Sequence, residues 1–369
     1  MKMIYEMQLF LLNLQNIMYG ITEEKIMTLD AFIRESGSIV ITTHQHPDGD
    51  AGGSATAMWS YLRDRTGRNA TIVLPDSLPP TLDFLGKGYP FLIGEDEATF
   101  DAIRRADLVI ALDFNAFKRS GPLEQAFSAC RGRKVLIDHH PEPDAEAFDL
   151  VFSQCDVSSA SELLFHILMK MPDVDGDASA LPRACAYSLM TGMTTDTNNF
   201  ANSVYPSTLQ MASELLAAGV DRDSIIEKVY NSGRDEKLLA WSYLLDRKMK
   251  LMDCGVGYIV LTKEEKERLG LMDGETDGLV NIPLQIGRIR VSALLTEEDG
   301  HFRVSLRSKK DIAINVLAKE KFNGGGHPQA SGGKIFIPEE IEDSSKIAAY
   351  FEETAARYMH DSCSAKTDQ

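Results

Sequence analysis

The feature that most constrains the fold is a series of short, β-branched apolar segments that alternate with segments of helical periodicity. The short segments cover residues 38–44, 70–74, 107–113 and 134–138. Uninterrupted apolar runs of this length are typical of strands that are buried on both faces, as in a parallel sheet. The first is followed by apolar residues at helical spacing, namely Ala51, Ala55, Met58, Trp59 and Leu62. This alternation predicts an α/β domain whose parallel sheet is covered by helices on both faces.

The chain changes in character near residue 250. Before that point, further helices are predicted over residues 28–36, 159–169, 182–190 and 208–218. After it, we predict strands over residues 257–262, 289–295 and 302–306, a helix over residues 312–321, and a last strand near Ile335 that follows the glycine-rich run 323–333. The predicted order is an N-terminal extension (1–17), an α/β domain (18–225), a helical linker (226–250), a smaller C-terminal α/β domain (251–360) and a tail (361–369).

The charge balance excludes one broad class of partner. Among the 369 residues, 55 acidic residues outnumber 38 basic ones, which gives a formal net charge of −17. Proteins that coat long nucleic acid bind it through a basic surface that releases counterions. Long duplex nucleic acid is therefore not an expected partner. A small anionic substrate in a local basic pocket, or metal ions held by carboxylates, is compatible with this charge.

The cysteines and the N-terminus both favour a protein of the reducing cytoplasm. The five cysteines are widely spread and form no Cys-x-x-Cys pair, which argues against disulfides and against a zinc site. Residues 1–17 are apolar but contain Glu6, and their apolar run is shorter than the roughly 20 residues that span a bilayer. We expect no membrane contact. We interpret the segment as a dispensable extension, with an extra helix that packs on the domain or on a second subunit as the alternative.

Side chains that can bind metals or transfer protons follow several of the predicted strands. The first strand runs into His44, Asp48 and Asp50, the third ends at Asp113, the fourth ends at Asp138, His139 and His140, and a later helix runs into a loop with Asp196. Each has an ordinary interpretation, because Asp-Gly marks turns and an aspartate at a strand end caps the next helix. In an open parallel sheet, however, ligands bind at the carboxyl ends of the strands. The common location of these residues therefore favours a functional site.

Such a collection of acids and imidazoles predicts a divalent metal site. Carboxylate oxygens with some imidazole suit manganese or magnesium, and no cysteine occurs in these segments. The acids would repel one another unless cations lay among them. Two cations about 3.5–4 Å apart would clamp the attacking and leaving oxygens of a phosphate ester.

The same segments resemble the motifs of a known family. Residues 43–54, Leu112-Asp113 with Arg119, residues 138–140 and residues 191–197 are similar to the four ordered motifs of the DHH phosphoesterases. Residues 323–333 are similar to the signature of the DHHA1 domain that accompanies them. The resemblance extends from about Met18 to the last predicted strand. Within the family, the chain resembles the bacterial proteins that degrade nano-RNA and dephosphorylate pAp (adenosine 3′,5′-bisphosphate), which are often labelled exopolyphosphatase-related.

The resemblance implies a set of metal ligands in the first domain. One metal ion is expected on His44, Asp48 and Asp113, and the other on Asp50, Asp113, His139 and Asp196. Asp113 would then bridge the two ions. The expected cofactors are two Mn²⁺ ions, with Mg²⁺ or Co²⁺ as substitutes, and the expected nucleophile is a hydroxide that bridges them.

The resemblance also implies catalytic roles beside the metals. Asp138 is expected to orient a histidine and fix its tautomer. His140 is expected to contact the transferring phosphate or to help protonate the leaving group. His46 lies between ligand positions, and we interpret it as a residue that shapes the loop.

The second domain is expected, by the same resemblance, to hold the substrate. Gly324, Gly325 and Gly326 would let the backbone approach an anion next to His327, with a flexible hinge as the alternative. Arg307 and Ser308 are expected at a terminal phosphate, and Arg119 behind the metal site. Surface arginines are the alternative, most of all for the weaker candidate Arg290. The segment after Asp196 departs from the family pattern, because Ala201 follows Phe200 where many relatives carry a basic residue.

Three functions remain open from the sequence. The first is manganese-dependent hydrolysis of short oligoribonucleotides from an end and of the 3′-phosphate of pAp, with pApA or cyclic-dinucleotide hydrolysis as a variant. The second is an inorganic polyphosphatase or pyrophosphatase, against which the Gly-Gly-Gly-His run argues. The third is a nucleotide-binding sensor without turnover, which would require a lost ligand, whereas every expected ligand is present. A homodimer is expected from the resemblance only.

Overall fold

The computed structural model describes residues 20–272 and 274–364, without the side chains of 362–364. Contacts divide the chain into two compact units between Ser232 and Gly233, within the predicted linker. The predicted extension 1–17 and residues 365–369 of the predicted tail lie outside the described residues. Within the described ranges, no helix has both the length and the apolar character needed to cross a membrane.

The first unit is built on a parallel six-stranded sheet. Its strands are β1 (Ile39–Thr42), β2 (Ala70–Leu74), β3 (Phe91–Ile93), β4 (Leu108–Leu112), β5 (Arg133–Asp138) and β6 (Leu150–Ser153). They lie in the order β3-β2-β1-β4-β5-β6, and every neighbouring pair is parallel. The chain thus extends the sheet from β1 to β3 in one direction and then continues from β4 on the other side of β1.

Helices surround this sheet. They are α1 (Glu23–Glu35), α2 (Gly49–Arg65), α3 (Asp83–Gly86), α4 (Glu97–Arg105), α5 (Glu124–Ala129), α6 (Ala160–Met169), α7 (Arg183–Asp196), α8 (Pro206–Ala217) and α9 (Arg222–Tyr230). Several begin at a polar residue whose side chain accepts a hydrogen bond from the first turn, as Thr22 does for α1, Asp48 for α2 and Ser159 for α6. Such capping satisfies amide groups that have no partner within the helix.

The strands bury apolar side chains on both faces of the sheet. Ile39 and Ile41 belong to the hydrophobic core that also contains Met58 of α2, whereas Val40 belongs to the core on the opposite face, with Phe127 of α5. Because successive side chains of a strand point to opposite faces, a strand between two cores is apolar at every position. The predicted fold class, a parallel sheet covered on both faces, is confirmed.

The second unit contains a mixed sheet. Its elements are α10 (Asp235–Tyr243), β7 (Lys250–Leu251), β8 (Val256–Leu261), α11 (Lys263–Arg268), β9 (Val291–Glu298), β10 (His301–Ser308), α12 (Ile314–Lys321), β11 (Gly325–His327), β12 (Ala330–Phe336) and α13 (Ile347–Ser364). The strand order is β11-β12-β10-β9-β8-β7, in which β8 and β9 are parallel and the other pairs antiparallel. Phe302, Phe322 and Phe351 lie in its core. The prediction of a smaller C-terminal α/β domain is confirmed.

Several predicted boundaries are wrong. The first helix begins at Glu23 rather than at residue 28, because Thr22 caps it there. Helix α7 continues past residue 190, so that Asp196 is its last residue and does not lie in a loop. The glycine-rich run contains strand β11, which pairs with β12 to form a hairpin. The last helix continues to Ser364, beyond the predicted start of the tail at Asp361.

Two strands of the first sheet were not predicted. Strand β3 has only partly buried or exposed residues, and β6 alternates buried with partly buried ones. Both lie at the edges of the sheet. An edge strand is covered less completely than a central one, so it lacks the continuous apolar run that marks β1 and β4 in the sequence.

Candidate metal centre

The candidate site lies where the strand order of the first sheet reverses. Strands β1 and β4 are neighbours, but the chain leaves them towards opposite edges of the sheet. Crevices at the carboxyl ends of such strands are the usual ligand sites of open parallel sheets. His44 lies just after β1, Asp113 directly follows β4, and Asp138 is the last residue of β5. The topology therefore brings together residues that are far apart in the sequence.

The His44 side chain is held in one orientation. It is buried, and its Nδ1 lies 2.8 Å from the backbone oxygen of Gln45. Because a carbonyl oxygen can only accept, Nδ1 carries the proton and donates it to that oxygen. The other ring nitrogen, Nε2, lies 3.4 Å from Asp113 Oδ2. Burial lowers the pKa of His44, but the hydrogen bond with Asp113 and nearby acids raise it overall, so that Nε2 donates to Asp113. Loss of that proton leaves a neutral ring whose Nε2 is an acceptor, which is the form in which imidazole binds a metal ion.

Asp113 lies between two imidazoles. Its Oδ2 faces His44, while its Oδ1 lies 3.4 Å from His139 Nε2. Its φ of 62° is in the left-handed region, which is uncommon for a residue other than glycine. The strained backbone positions that proteins retain cluster at functional sites. The two oxygens of the Asp113 carboxylate therefore face two different groups of candidate ligands, one that contains His44 and one that contains His139.

His139 marks the second half of the site. Its Nε2 lies 3.7 Å from Asp196 Oδ2 and 4.0 Å from Asp50 Oδ2, in addition to its contact with Asp113. Asp196 occupies the end of α7, where the helix dipole is negative and a carboxylate is unfavourable. A cation at this position would offset that repulsion.

Close packing of two helices brings Asp50 and Asp196 into the same region. Gly53 in α2 lies so near Gly192 in α7 that a β-carbon on Gly53 would come within 2.8 Å of the Gly192 backbone. Asp50 is in the first turn of α2 and Asp196 ends α7. The glycine contact thus places the start of one helix beside the end of the other.

The Asp50 carboxylate is anchored by a third helix. Its Oδ2 accepts a hydrogen bond from the Ala160 amide at 2.6 Å, and its Oδ1 accepts one from the Ser161 amide at 2.9 Å. Both amides belong to the first turn of α6, and the N-terminus of a helix favours negative charge. The sequence analysis missed this contact. Its signal was Ser159 with Glu162 three residues later, which marks a helix N-terminus.

The acids and imidazoles shift one another's protonation. Burial raises the pKa of Asp50 well above its usual range, and the charges of Asp113 and Asp196 raise it further. Burial also favours a neutral Asp113, but hydrogen bonds with His139 and His44 outweigh it and lower the pKa of Asp113 well below its usual value. For His139, burial lowers the pKa, and the hydrogen bond with Asp113 and the nearby acids raise it to about 10. The cluster therefore attracts positive charge.

The histidine that Asp138 contacts and orients is His140. Asp138 is fully buried, and its Oδ1 lies 2.7 Å from His140 Nδ1. His140 Nδ1 is also 3.8 Å from Asp113 Oδ1. The second oxygen of Asp138 is buried with no hydrogen-bond partner among the described residues. The carboxylate is thus turned towards His140 and away from solvent.

These donors fit hard divalent cations. Ligand atoms of His44, Asp48 and Asp113 lie within 4.8 Å of one another, and so do ligand atoms of Asp50, Asp113 and His139. Both sets consist of carboxylate oxygens and imidazole nitrogens, the donors that suit manganese and magnesium. The pKa of Asp50 is raised because burial and the neighbouring acids disfavour its charged form, and positive charge nearby does not compensate for them. Two positions for a cation that share Asp113 account for the arrangement.

Two other residues singled out in the sequence lie nearby. Arg119 is partly buried, its backbone oxygen accepts a hydrogen bond from the Gln45 amide at 2.7 Å, and its charge acts on His44. His46 is exposed, and its backbone amide and ring both contact Asp76. His46 therefore helps to fix the loop between His44 and Asp48, as the sequence analysis expected of a shaping residue.

In the second unit, the expected substrate residues make internal contacts. Arg307 Nη1 donates to the Leu306 oxygen at 2.9 Å, Ser308 Oγ donates to the Ile312 oxygen at 2.6 Å, and Arg290 bonds Asp311. Ser308 is nearly buried, so its hydroxyl helps to fix the turn that follows β10. The prediction that these side chains bind substrate stays a prediction.

The glycines of the second unit differ from one another. A β-carbon on Gly324 would lie 1.9 Å from the Gly332 oxygen, and Gly326 has a φ of 132° with the Ala330 oxygen 2.7 Å from such a carbon. At Gly325 nothing lies within 4 Å of that position. His327 ends strand β11, and its backbone oxygen accepts from Ser331 Oγ at 2.8 Å. Two of the three glycines are therefore required by the hairpin itself.

Comparison with known proteins places the chain in a family. Residues 38–193 match the model of the DHH family, N-terminal domain, and residues 255–353 match the model of the DHHA1 domain. The chain is similar to the crystal structure of an exopolyphosphatase-related protein from Bacteroides fragilis. The TM-score is 0.83 and the identity 32%, over 92% of this chain and 98% of that one.

Two curated relatives have named activities. The bifunctional oligoribonuclease and PAP phosphatase NrnA of Bacillus subtilis is 28% identical over 311 residues, which are 83% of this chain and 91% of that protein. The cyclic-di-AMP phosphodiesterase PdeA of Listeria monocytogenes is 24% identical over 309 residues, which are 81% of this chain and 45% of that protein. The chain belongs to the DHH family, carries its DHHA1 domain, and is a hydrolase that acts on phosphate esters.

Proposed function

We propose that this chain is a manganese-dependent phosphoesterase that hydrolyses short oligoribonucleotides from an end and removes the 3′-phosphate of pAp. The relative from Bacillus subtilis carries both activities in its name. The acidic net charge of −17 favours small substrates over long nucleic acid. Family membership and the charge of the chain thus support this substrate class.

The observation that carries the proposal is the position of Asp113. One of its oxygens faces His44 and the other faces His139, and the residue belongs to both ligand groups. In the proposed site, His44, Asp48 and Asp113 hold one cation, and Asp50, Asp113, His139 and Asp196 hold the other. Cations bound there would neutralise the negative charge of the phosphate, and they would make a bound water easier to ionise.

The remaining roles belong to side chains at the edge of this cluster. His140 Nδ1 donates to the Asp138 carboxylate, which leaves Nε2 as the nitrogen that exchanges a proton with the substrate. Asp138 fixes this tautomer and stabilises the protonated ring. We propose that His140 protonates the leaving oxygen or donates to the phosphoryl oxygens.

We propose substrate contacts in each unit separately, with Arg119 as the proposed contact in the first unit. Arg307, Ser308 and the run from Gly324 to His327 are the proposed contacts, and Gly325 is the position among these glycines with open space around it. A backbone without side chains can approach an anion closely and donate N–H groups to it. Arg307 would add a guanidinium, which matches phosphate geometry.

A substrate panel tests the proposal. Purified protein is incubated with Mn²⁺, Mg²⁺ or Co²⁺ and with di- and pentaribonucleotides, pAp, pApA, cyclic-di-AMP or polyphosphate. We expect turnover of the oligoribonucleotides and pAp, strongest with Mn²⁺. Asp113→Ala should lower kcat/KM by about a thousandfold or more, because it removes a ligand common to both cations. The matched control is Glu95→Ala, which removes an exposed carboxylate of the same unit and should leave activity unchanged.

The panel also separates the other hydrolase activities. Turnover of pApA or cyclic-di-AMP without turnover of pAp would favour the activity that the Listeria relative carries in its name. Phosphate release from polyphosphate alone would favour a polyphosphatase. Intact substrates throughout, with tight binding of pAp, would indicate a sensor and would overturn the proposal.

We also propose a cytoplasmic location and a homodimer. Cys130, Cys155, Cys185 and Cys254 are free, as expected of a reducing compartment. The dimer rests on family resemblance. Cell fractionation and light scattering of the purified protein test the two statements separately.

A further inference from the structure

We propose that Ser161 and Gly192 are positioning residues for Asp50, and that they set the affinity for a divalent cation without binding it themselves. This inference rests on the proposed function, because it takes Asp50 as a ligand of the cation. It concerns residues outside the predicted ligand set.

Helix α6 fixes the orientation of that carboxylate. The amides of Ala160 and Ser161 donate to different oxygens of Asp50, at 2.6 and 2.9 Å. A carboxylate oxygen can accept more than one hydrogen bond, so each oxygen keeps a lone pair for another partner. Two donors on separate oxygens define the plane of the group. The direction in which Asp50 presents its remaining lone pairs is therefore set by α6.

The Ser161 hydroxyl lies beside the same carboxylate. Ser161 is completely buried, and its Oγ makes no hydrogen bond of regular geometry among the described residues, but its proximity to Asp50 partly offsets the rise that burial causes in the pKa of that carboxyl. A buried hydroxyl without a regular hydrogen bond is unfavourable and calls for a specific explanation. The hydroxyl proton can rotate towards Asp50, whose Oδ1 borders the same small space beside Gly192. The hydroxyl is thus placed to donate a hydrogen bond to Asp50 when this carboxylate binds a cation.

Gly192 provides the space for both oxygens. A β-carbon at this position would lie 2.0 Å from Ser161 Oγ and 2.8 Å from Asp50 Oδ1. Gly192 is an interior residue of α7, where glycine is a poor helix former. Its backbone is helical and does not require glycine. The close approach of Asp50 and Ser161 is therefore the reason for a glycine at this position.

The test measures Mn²⁺ binding to the full-length protein by calorimetry and electron paramagnetic resonance. Gly192→Ala should lower the affinity for one of the two Mn²⁺ ions by about 10- to 100-fold, the range found when groups that orient metal ligands are changed. Ser161→Ala should lower it by a smaller factor. Thermal unfolding of the metal-free variants checks that they fold.

Gly53→Ala is the matched control. Its β-carbon would come within 2.8 Å of the Gly192 backbone and of the Ser188 oxygen, so it strains the same contact between α2 and α7. None of its three nearest contacts is an oxygen of Asp50. Because this contact also brings Asp50 and Asp196 together, we expect Gly53→Ala to lower the Mn²⁺ affinity by a clearly smaller factor than Gly192→Ala does.

The outcomes separate the inference from the proposed function. An equal loss of affinity in Gly53→Ala and Gly192→Ala would assign the effect to helix packing and overturn the inference. Unchanged affinity in Gly192→Ala would overturn it as well. If Gly192→Ala does not fold, Ser161→Ala decides, and unchanged affinity in that variant contradicts the inference. A wild-type protein that binds no Mn²⁺ would instead overturn the proposed function.

Discussion

Asp50 and Glu162 are two buried carboxylates that both accept hydrogen bonds near the start of α6, but Asp50 belongs to α2 and Glu162 to α6, and the fold provides for them differently. The Oε2 of Glu162 accepts hydrogen bonds from the amide and hydroxyl of Ser158 and from the Thr208 hydroxyl, at 3.0, 2.5 and 2.6 Å. Burial raises the pKa of Glu162, but hydrogen bonds from His166, Ser158, Ser207 and Thr208 lower it to about 2. Asp50 has two amide donors but faces other acids, and its pKa is raised.

We interpret this difference as one between a structural acid, Glu162, and an acid of the proposed metal site, Asp50. Glu162 obtains enough donors from neighbouring side chains to stay ionised while buried, so its charge stabilises the fold. Asp50 lies with Asp113 and Asp196, and the protein supplies too little positive charge for all three. A buried acid in that position is favourable only when a cation is present. The first turn of α6 therefore contributes Glu162 to the stability of the fold and also donates amide hydrogen bonds to Asp50 in the candidate site.

The largest expected effect is on activity. Asp50→Ala should lower kcat/KM by about a thousandfold or more, because it removes a proposed metal ligand. Glu162→Gln, which changes the buried acid that belongs to α6, should retain activity within about threefold, which corresponds to less than 1 kcal/mol. Steady-state kinetics on short oligoribonucleotides with Mn²⁺ measures both. Equal losses in the two variants would remove the distinction between the two acids.

The next effect is on stability in acid. Because the folded-state pKa of Glu162 lies below its ordinary value of 4.5, its contribution is complete above that value and is lost as the pH falls towards about 2. The contribution amounts to roughly 3 kcal/mol at neutral pH. Glu162→Gln should lower the unfolding free energy near pH 7 by up to this amount and flatten its decline in acid. Urea unfolding of the metal-free protein between about pH 6 and about pH 2 measures the slope.

A smaller effect extends the comparison to the second unit. Gly324→Ala should lower the unfolding free energy by about 1–3 kcal/mol, because the β-carbon would overlap the Gly332 oxygen. Gly325→Ala has open space and should change it by less than about 0.5 kcal/mol, while raising KM for pAp. Chemical unfolding and kinetics of both variants provide the measurement. An unchanged KM for pAp in Gly325→Ala would indicate that the substrate does not approach the backbone closely at this position.

Sequence alone was sufficient to predict the central strands and the edge at which the acids meet. Strands β1 and β4 are apolar at every position because both of their faces are covered, so they are recognisable without the structure. Their carboxyl ends carry His44 and Asp113, and the topology of a parallel sheet places those ends together. The polar residues at this edge could therefore be identified from the pattern, whereas their assignment as ligands of two ions came from the family resemblance.

The contacts that orient these ligands could not be predicted. The hydrogen bond from Ala160 to Asp50 joins residues 110 positions apart, and it depends on how α6 packs against α2. The left-handed backbone at Asp113 is likewise imposed by its surroundings, since aspartate does not require it. Local sequence patterns encode periodicity and caps, whereas these features arise only when helices and strands pack together.

The most direct test of the shared carboxylate is a Mn²⁺ titration followed by electron paramagnetic resonance on the full-length protein and on Asp113→Ala. We predict that the wild-type chain binds two Mn²⁺ ions whose spins are coupled, and that Asp113→Ala loses the coupled signal because neither ion keeps its common ligand. A folded Asp113→Ala protein that still binds a coupled pair with wild-type affinity would contradict the account.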